Sequence, residues 1–166
     1  MTVVAMPGFP ATQHVGEYCV AGAQDKIVYP GIQQCISVTG FSVFGLLGTH
    51  ISPGASEADI AKTFEILRSG GAANYPMWYV VGNFDEHFNH TKVGWNSTAR
   101  IVKAMRKNVA GSATWQVCDT SRLASEFSFG IDIHATRGTF GVSFAYAKAF
   151  SRNAPVQPIA EPFLRA

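Results

Sequence analysis

The chain has 166 residues, enough for one domain. Apolar residues supply 47% and charged residues 14%, which excludes a disordered or tail-like chain and allows a full core. Thirteen Lys and Arg against eleven Asp and Glu leave +2 with no run of four like charges, so no concentrated basic face is expected and nucleic acid is not an expected partner.

Residues 1–26 are rich in Gly, Pro and Ala and are predicted to form an irregular arm over the domain. The opening MTVVAMPGFPATQH lacks a basic start and is broken by two prolines, so it does not read as a cleavable signal peptide. No stretch of about 18 apolar residues occurs, and no membrane span is expected. Residues 30–148 form the predicted core. Residues 33–39 and 42–51 are predicted strands, and a turn near 39–41 makes them a hairpin. Gly45 and Gly48 in the second mark a bulge or a close backbone approach. Ser52-Pro53-Gly54 breaks the chain.

Ser56 then opens a helix, with Asp59 three residues on as in a capping box. Ile60, Phe64 and Leu67 give it one buried stripe, and Gly70-Gly71 end it. Residues 77–82 (MWYVVG) read as a buried strand and 83–94 as a polar loop. Asn96 or Ser97 caps a second helix carrying Ile101, Met105 and Val109 on one face. Residues 113–118 are a strand, and 127–134 with 139–147 form a hairpin across 136–138. The tail 153–166 holds Pro155, Pro158 and Pro162, which exclude helix and central strand. The order is β-β-α-β-α-β-β-β. It predicts a single-domain α/β fold with a mixed, largely antiparallel sheet (or a sandwich) and two main helices packed on it. No Gly-x-Gly-x-x-Gly or Walker pattern follows a strand, so no nucleotide cofactor is expected.

The cysteines are Cys19, Cys35 and Cys118, an odd count at irregular spacing that is no disulfide framework. A reducing workplace is the simpler reading. No Cys-x-x-Cys or His-x-x-x-His pair occurs, and no metal is expected.

Cys35 stands at the start of the first core strand and His50 near the end of the next, fifteen residues later. In an antiparallel hairpin those two ends are neighbours, provided the register turns both side chains to one face. Facing residues have Cβ atoms about 4.5–5.5 Å apart, within reach of a thiol–imidazole hydrogen bond. A neighbouring His can take the thiol proton and so make a nucleophile. The flanking backbone would supply oxyanion donors, with Gly31 or Gly54 allowing close approach. The group that orients the imidazole is either a side chain or a backbone carbonyl. A Cys on an apolar strand is more often plain core, and that reading stands beside the catalytic one.

Cys on one strand, His about fifteen residues later on the next, then a helix: this pattern resembles the glutamine deamidases of the cytotoxic necrotizing factor type. It is also similar to the chemoreceptor deamidase CheD and to the Burkholderia-lethal-factor type of toxin. The likeness continues through the helix 57–68, the Gly-Gly-Ala turn at 70–72, the strand ending Val81-Gly82-Asn83, a second helix, a strand and a terminal hairpin. It covers roughly residues 30–148 as architecture and order. It implies Cys35 as nucleophile, His50 as general base and acid, and hydrolysis of a Gln side-chain amide on a protein substrate, without a cofactor. The toxins carry Leu-Ser-Gly before their Cys where this chain has Ile32-Gln33-Gln34, and CheD has a Thr six residues before its Cys where this chain has Tyr29. The Tyr29 region, through a backbone carbonyl, is the resemblance's candidate for the third member. The resemblance further implies a monomeric bacterial toxin or effector, exported into a host cytosol without a cleavable signal peptide, or a cytoplasmic enzyme.

Other candidates are weaker. His87 and His90 are three apart amid Asp85 and Glu86 and would share a metal only on a helix; a solvated loop is the simpler reading. His134 shares a strand face with Asp132, and a papain-like hydrolase would pair Cys35 with His134 or His87. Cys118 reads as core, and Cys19 has no expected partner. Trp78, Tyr79 and Trp115 read as sheet-face residues, and Arg100, Lys103, Arg106 and Lys107 as a solvated helix face or a dock for an acidic protein. A non-catalytic binding module on the same sheet is the reading from outside enzymology.

Overall fold

A computed structural model of the chain describes residues 2–166. The first strands are β1 (Val4–Ala5), β2 (Thr12–His14), β3 (Cys19–Ala23), β4 (Lys26–Ile32), β5 (Ile36–Ser42) and β6 (Gly45–Ile51). Helix α1 (Glu57–Ser69) and a 3-10 turn (Ala72–Asn74) lead to β7 (Met77–Gly82), α2 (Phe84–His90) and α3 (Thr98–Asn108). The remainder is β8 (Thr114–Asp119), α4 (Ser121–Ser125), β9 (Ile131–Arg137), β10 (Val142–Lys148), β11 (Gln157–Pro158) and β12 (Leu164–Arg165).

These strands form two mixed sheets whose pairings are mostly antiparallel. One has seven strands in the order β1-β3-β6-β5-β7-β8-β12, and the other five in the order β11-β10-β9-β4-β2. Strand alternation explains the layering. Ile36, Val38, Leu47, Ile51, Trp78 and Val80 turn one way and meet Ile60, Phe64 and Leu67 of α1 and Ile101 and Met105 of α3. Cys35, Phe41, Leu46, Tyr79 and Val81 turn the other way and meet Ile27, Tyr29, Ile131, Ile133 and Phe144 of the second sheet. The molecule is therefore helix layer, seven-stranded sheet, five-stranded sheet, with one core on each side of the larger sheet. Trp78 and Trp115 stack at 5.3 Å across the parallel β7–β8 pair and fill the middle of the helix-side core.

Helix α1 is framed as its sequence predicts. The Ser56 hydroxyl accepts from the Asp59 N–H, and the Asp59 carboxylate accepts from the Ser56 N–H. At the start of α3 the Ser97 hydroxyl accepts from the Arg100 N–H. Two other expectations are corrected, and the tail keeps to its own. The segment 83–94 is not all loop: Asn83 caps α2, and Phe84 stacks on Phe88 one turn later at 5.5 Å, so three main helices pack on the sheets rather than two. The first 26 residues are not an irregular arm throughout: β3 pairs with β6 inside the larger sheet, and β2 pairs with β4 at the edge of the smaller. The proline-bearing tail supplies two short strands, β11 and β12, both at sheet edges, where a proline lacking its N–H is tolerated. No helix among the described residues is long and apolar enough to cross a membrane.

Gly48 decides how closely the two sheets meet. A Cβ there would fall inside the contact radius of the Tyr29 hydroxyl and lie 2.9 Å from Ile27 Cδ1. That vacancy lets Tyr29 reach across from the smaller sheet and bond to the Val38 carbonyl (3.1 Å) and the Thr39 hydroxyl (2.7 Å). Gly48→Ala is expected to destabilise the protein by about 1–3 kcal/mol, the usual cost of overpacking. The check is a urea midpoint that falls while the slope of the transition is unchanged.

Candidate active site

The β5–β6 register sets Ser37 opposite His50 and Ile36 opposite Ile51. Cys35 immediately precedes β5, two residues from Ser37, and so shares the face of Ser37 and His50. The hairpin thus brings Cys35 and His50 together on the inter-sheet side, as a diagonal pair one step offset from direct opposition. Both are buried, at 3% and 1% exposure.

The imidazole is fixed by the backbone. His50 Nδ1 meets the Val15 carbonyl at 3.1 Å. A carbonyl only accepts, so Nδ1 carries the proton and Nε2 holds a lone pair. Nε2 is buried with no hydrogen-bond partner among the described residues. The orienting carbonyl is therefore Val15, not one near Tyr29. Tyr29 contributes differently: its ring stands edge-on to the imidazole at 6.4 Å between centroids, with its hydroxyl bound to β5. Burial holds the Tyr29 phenol above its ordinary range, so it stays protonated with its hydroxyl engaged on β5.

A third side chain joins the pair. Between β2 and β3 the chain turns at Gly16–Cys19, closed by Cys19 N–H donating to the Gly16 carbonyl (3.1 Å) with Tyr18 in the left-handed region at φ 62. Tyr18 N–H donates to the His50 carbonyl (3.2 Å), and Glu17 forms a bridge with His50. The turn thereby lays the exposed Glu17 over the site, where the Cys35 thiol donates to Glu17 Oε1 at 3.3 Å. A ligand atom of each of Glu17, Cys35 and His50 lies within 4.8 Å of the other two.

Electrostatics set the resting state. Burial first, and then the Glu17 carboxylate, push the Cys35 thiol well above its ordinary range; the Ser52 hydroxyl and the Gln34 N–H oppose this more weakly. Burial lowers His50, with the Val15 carbonyl and Glu17 opposing. With Glu17 in contact, the pair rests as neutral thiol and neutral imidazole. The thiol is not pre-ionised in this arrangement.

The Cys35 loop is gripped from behind. Asn83 N–H donates to the Cys35 carbonyl (3.3 Å), Asn83 Nδ2 to the Gln33 carbonyl (2.6 Å), and His87 Nδ1 to the Gln34 carbonyl (3.3 Å). A Cβ on Gly82 would meet the Cys35 carbonyl oxygen at 2.5 Å, so β7 can lie this close only because Gly82 has none. Of the two expected close-approach glycines, the Gly31 N–H donates to Asp132 (2.9 Å), and the Gly54 N–H donates to the Ser52 hydroxyl (3.2 Å) that bonds the Cys35 thiol.

The remaining candidates lie apart from the pair. Ile131, Ile133 and Ala135 of β9 face the inter-sheet core, so His134 and Asp132 alternate onto the outer face, away from Cys35. His87 engages the Gln34 backbone, while His90 is exposed and bonds its own helix at the Glu86 carbonyl (2.8 Å), so the two do not converge. Cys118 is buried and its thiol donates to the Glu161 carbonyl at 3.6 Å; all three cysteines are free. Glu17 and Val15 were not singled out by the sequence. The available signal was that Glu17 is the sole carboxylate before Asp25. Compared with known proteins, the chain matches no family model, no curated protein and no solved structure.

Proposed function

We propose that this chain is a cysteine-dependent amide hydrolase that converts a Gln side chain on a protein substrate to Glu. The observation that carries this reading is the shared face of Cys35 and His50 with the imidazole tautomer set by Val15, which leaves Nε2 as the proton acceptor. In this reading Nε2 takes the thiol proton as sulfur attacks the amide carbon. The carbon–nitrogen bond breaks, and ammonia leaves with the proton returned from His50. Water then attacks the thioester, the carbon–sulfur bond breaks, and the thiol is restored. No cofactor enters, and a single copy of the chain suffices. The setting this activity fits is a bacterial effector in a host cytosol or an enzyme of the bacterial cytoplasm.

Cys35 lies beneath Glu17, so a substrate must displace that carboxylate from the sulfur. Moving it removes the like charge that opposes ionisation, and substrate entry then couples to nucleophile formation. Glu17→Gln is expected to raise the rate at which iodoacetamide alkylates Cys35 at pH 8, by about tenfold for each unit the thiol pKa falls. Peptide mapping in the presence of a chelator reads the rate at Cys35 alone. His50→Ala in the Glu17→Gln background is expected to slow it again. A Cys35 rate indifferent to His50→Ala would show that no proton passes between them and would remove the hydrolase reading.

A further inference from the structure

A carboxylate in contact with a thiol has the wrong sign for a free thiolate and the right sign for a cation. We propose that Glu17, Cys35 and His50 form a binding site for a divalent cation of the zinc class, held by the Glu17 carboxylate, the Cys35 thiolate and His50 Nε2. The ion site rests on these three groups alone; its consequence for catalysis rests on the hydrolase reading.

Four observations carry it. First, the spacing is close to what such an ion needs. Bonds of about 2.3 Å to sulfur and about 2.0–2.1 Å to nitrogen or oxygen at tetrahedral angles put ligand atoms about 3.5 Å apart. Cys35 Sγ and Glu17 Oε1 are already 3.3 Å apart, and no pair in the cluster exceeds 4.8 Å. Second, His50 Nε2 is a buried lone pair without a partner among the described residues, in a residue 1% exposed. Third, the outer shell is in place: His50 Nδ1 donates to the Val15 carbonyl, the usual arrangement behind a metal-bound imidazole. Fourth, the charges balance, since one carboxylate, one thiolate and a neutral imidazole meet two positive charges.

The donor set narrows the ion. One thiolate, one imidazole and one carboxylate suit zinc and do not suit magnesium or calcium, which take oxygen ligands. Binding exchanges the thiol proton for the metal: the S–H bond breaks, an S–metal bond forms, and a proton is released to solvent. Glu17 is exposed, so the ion arrives from solvent at the carboxylate and is passed inward to the two buried donors. Three protein ligands leave a fourth position open to water. An ion bound through Cys35 sulfur and His50 Nε2 occupies both groups that the hydrolase needs, so the loaded chain is silent and metal removal restores it.

Cobalt(II) is the probe. One equivalent is added to the chelator-treated full chain with a non-thiol reductant, under exclusion of air. The expected result is a near-ultraviolet thiolate-to-cobalt charge-transfer band that saturates at one equivalent, with visible bands of four-coordinate intensity, and loss of both on adding zinc. Cys35→Ser is expected to abolish the band, and Glu17→Gln and His50→Gln to weaken cobalt binding at least about tenfold each. The double variant Cys19→Ser/Cys118→Ser, which leaves the cluster intact, is expected to keep the band. That variant also covers the case in which Cys35→Ser does not fold. Absence of the band at one equivalent, its loss in the double variant, or its survival in Cys35→Ser would overturn the site. Amide hydrolysis measured in chelator is a separate readout, so a chain that hydrolyses without binding cobalt loses only the ion site. A chain that binds cobalt without hydrolysing loses only the enzyme.

Discussion

On the proposed hydrolase reading, Cys35→Ser is expected to lower amide hydrolysis by about 10⁴-fold or more, the scale seen when a nucleophile that acts as a unit with its base is removed. A buried serine hydroxyl next to a carboxylate ionises far less readily than a thiol, and the carboxylate at 3.3 Å that already hinders the sulfur hinders it further. His50→Ala is expected to cost nearly as much, and the double variant scarcely more, because neither group works without the other. Cys118→Ser is the control. That thiol is pushed up to about 12 by burial and then by Glu161 and Asp119, its sulfur bonds the Glu161 backbone, and it lies on β8, two strands from Cys35. The readout is the intact mass of a Gln-bearing protein substrate, which gains about 1 Da when amide becomes acid. Activity that survives Cys35→Ser would place the chemistry elsewhere.

Legibility in the sequence followed the range of the interactions. The hairpin carrying Cys35 and His50 was readable because its partners are close in sequence and strand alternation sets which residues share a face. Two details were missed: the turn falls at Val43–Phe44, not at 39–41, and Ser37, not Cys35, lies opposite His50. Helix α1 was readable to its reciprocal Ser56–Asp59 cap for the same reason. Glu17 and Val15 were not readable. They reach the site through pairings between β2 and β4 and between β3 and β6, and through a turn whose Tyr18 takes a left-handed conformation without being glycine. Strand β3 also hides its nature. It reads Cys-Val-Ala-Gly-Ala, and its Gly22 is small because the Phe9 ring packs there, where a Cβ would meet it at 2.7 Å. Helix α2 was legible in hindsight. Asn83 with Glu86 three residues on, and Phe84 with Phe88 four apart, are helix-start signals that the flanking glycines and charges obscured.

The protein is expected to lose stability as pH falls from about 6.5 to about 4, and His87 is one named cause. Burial lowers this imidazole to about 4, and the bond to the Gln34 carbonyl only partly offsets that. In the unfolded chain the same group titrates near 6.5. Between these values the unfolded state binds more protons, so stability rises with pH and falls on acidification, by about 3 kcal/mol at full effect. His50, also lowered by burial, acts with the same sign. Urea midpoints measured across this window should decline, and His87→Gln should flatten part of the slope; an unchanged slope in that variant would assign the loss to other groups. The loss is expected to begin locally. His87 helps Asn83 hold residues 33–35, so a proton on His87 charges a buried ring on the support of the Cys35 loop. Hydrogen exchange should therefore show the amides of Gln33 to Ile36 opening at a pH where the Trp78–Trp115 core is still protected. The thiol would lose its alignment with His50 before the fold is lost.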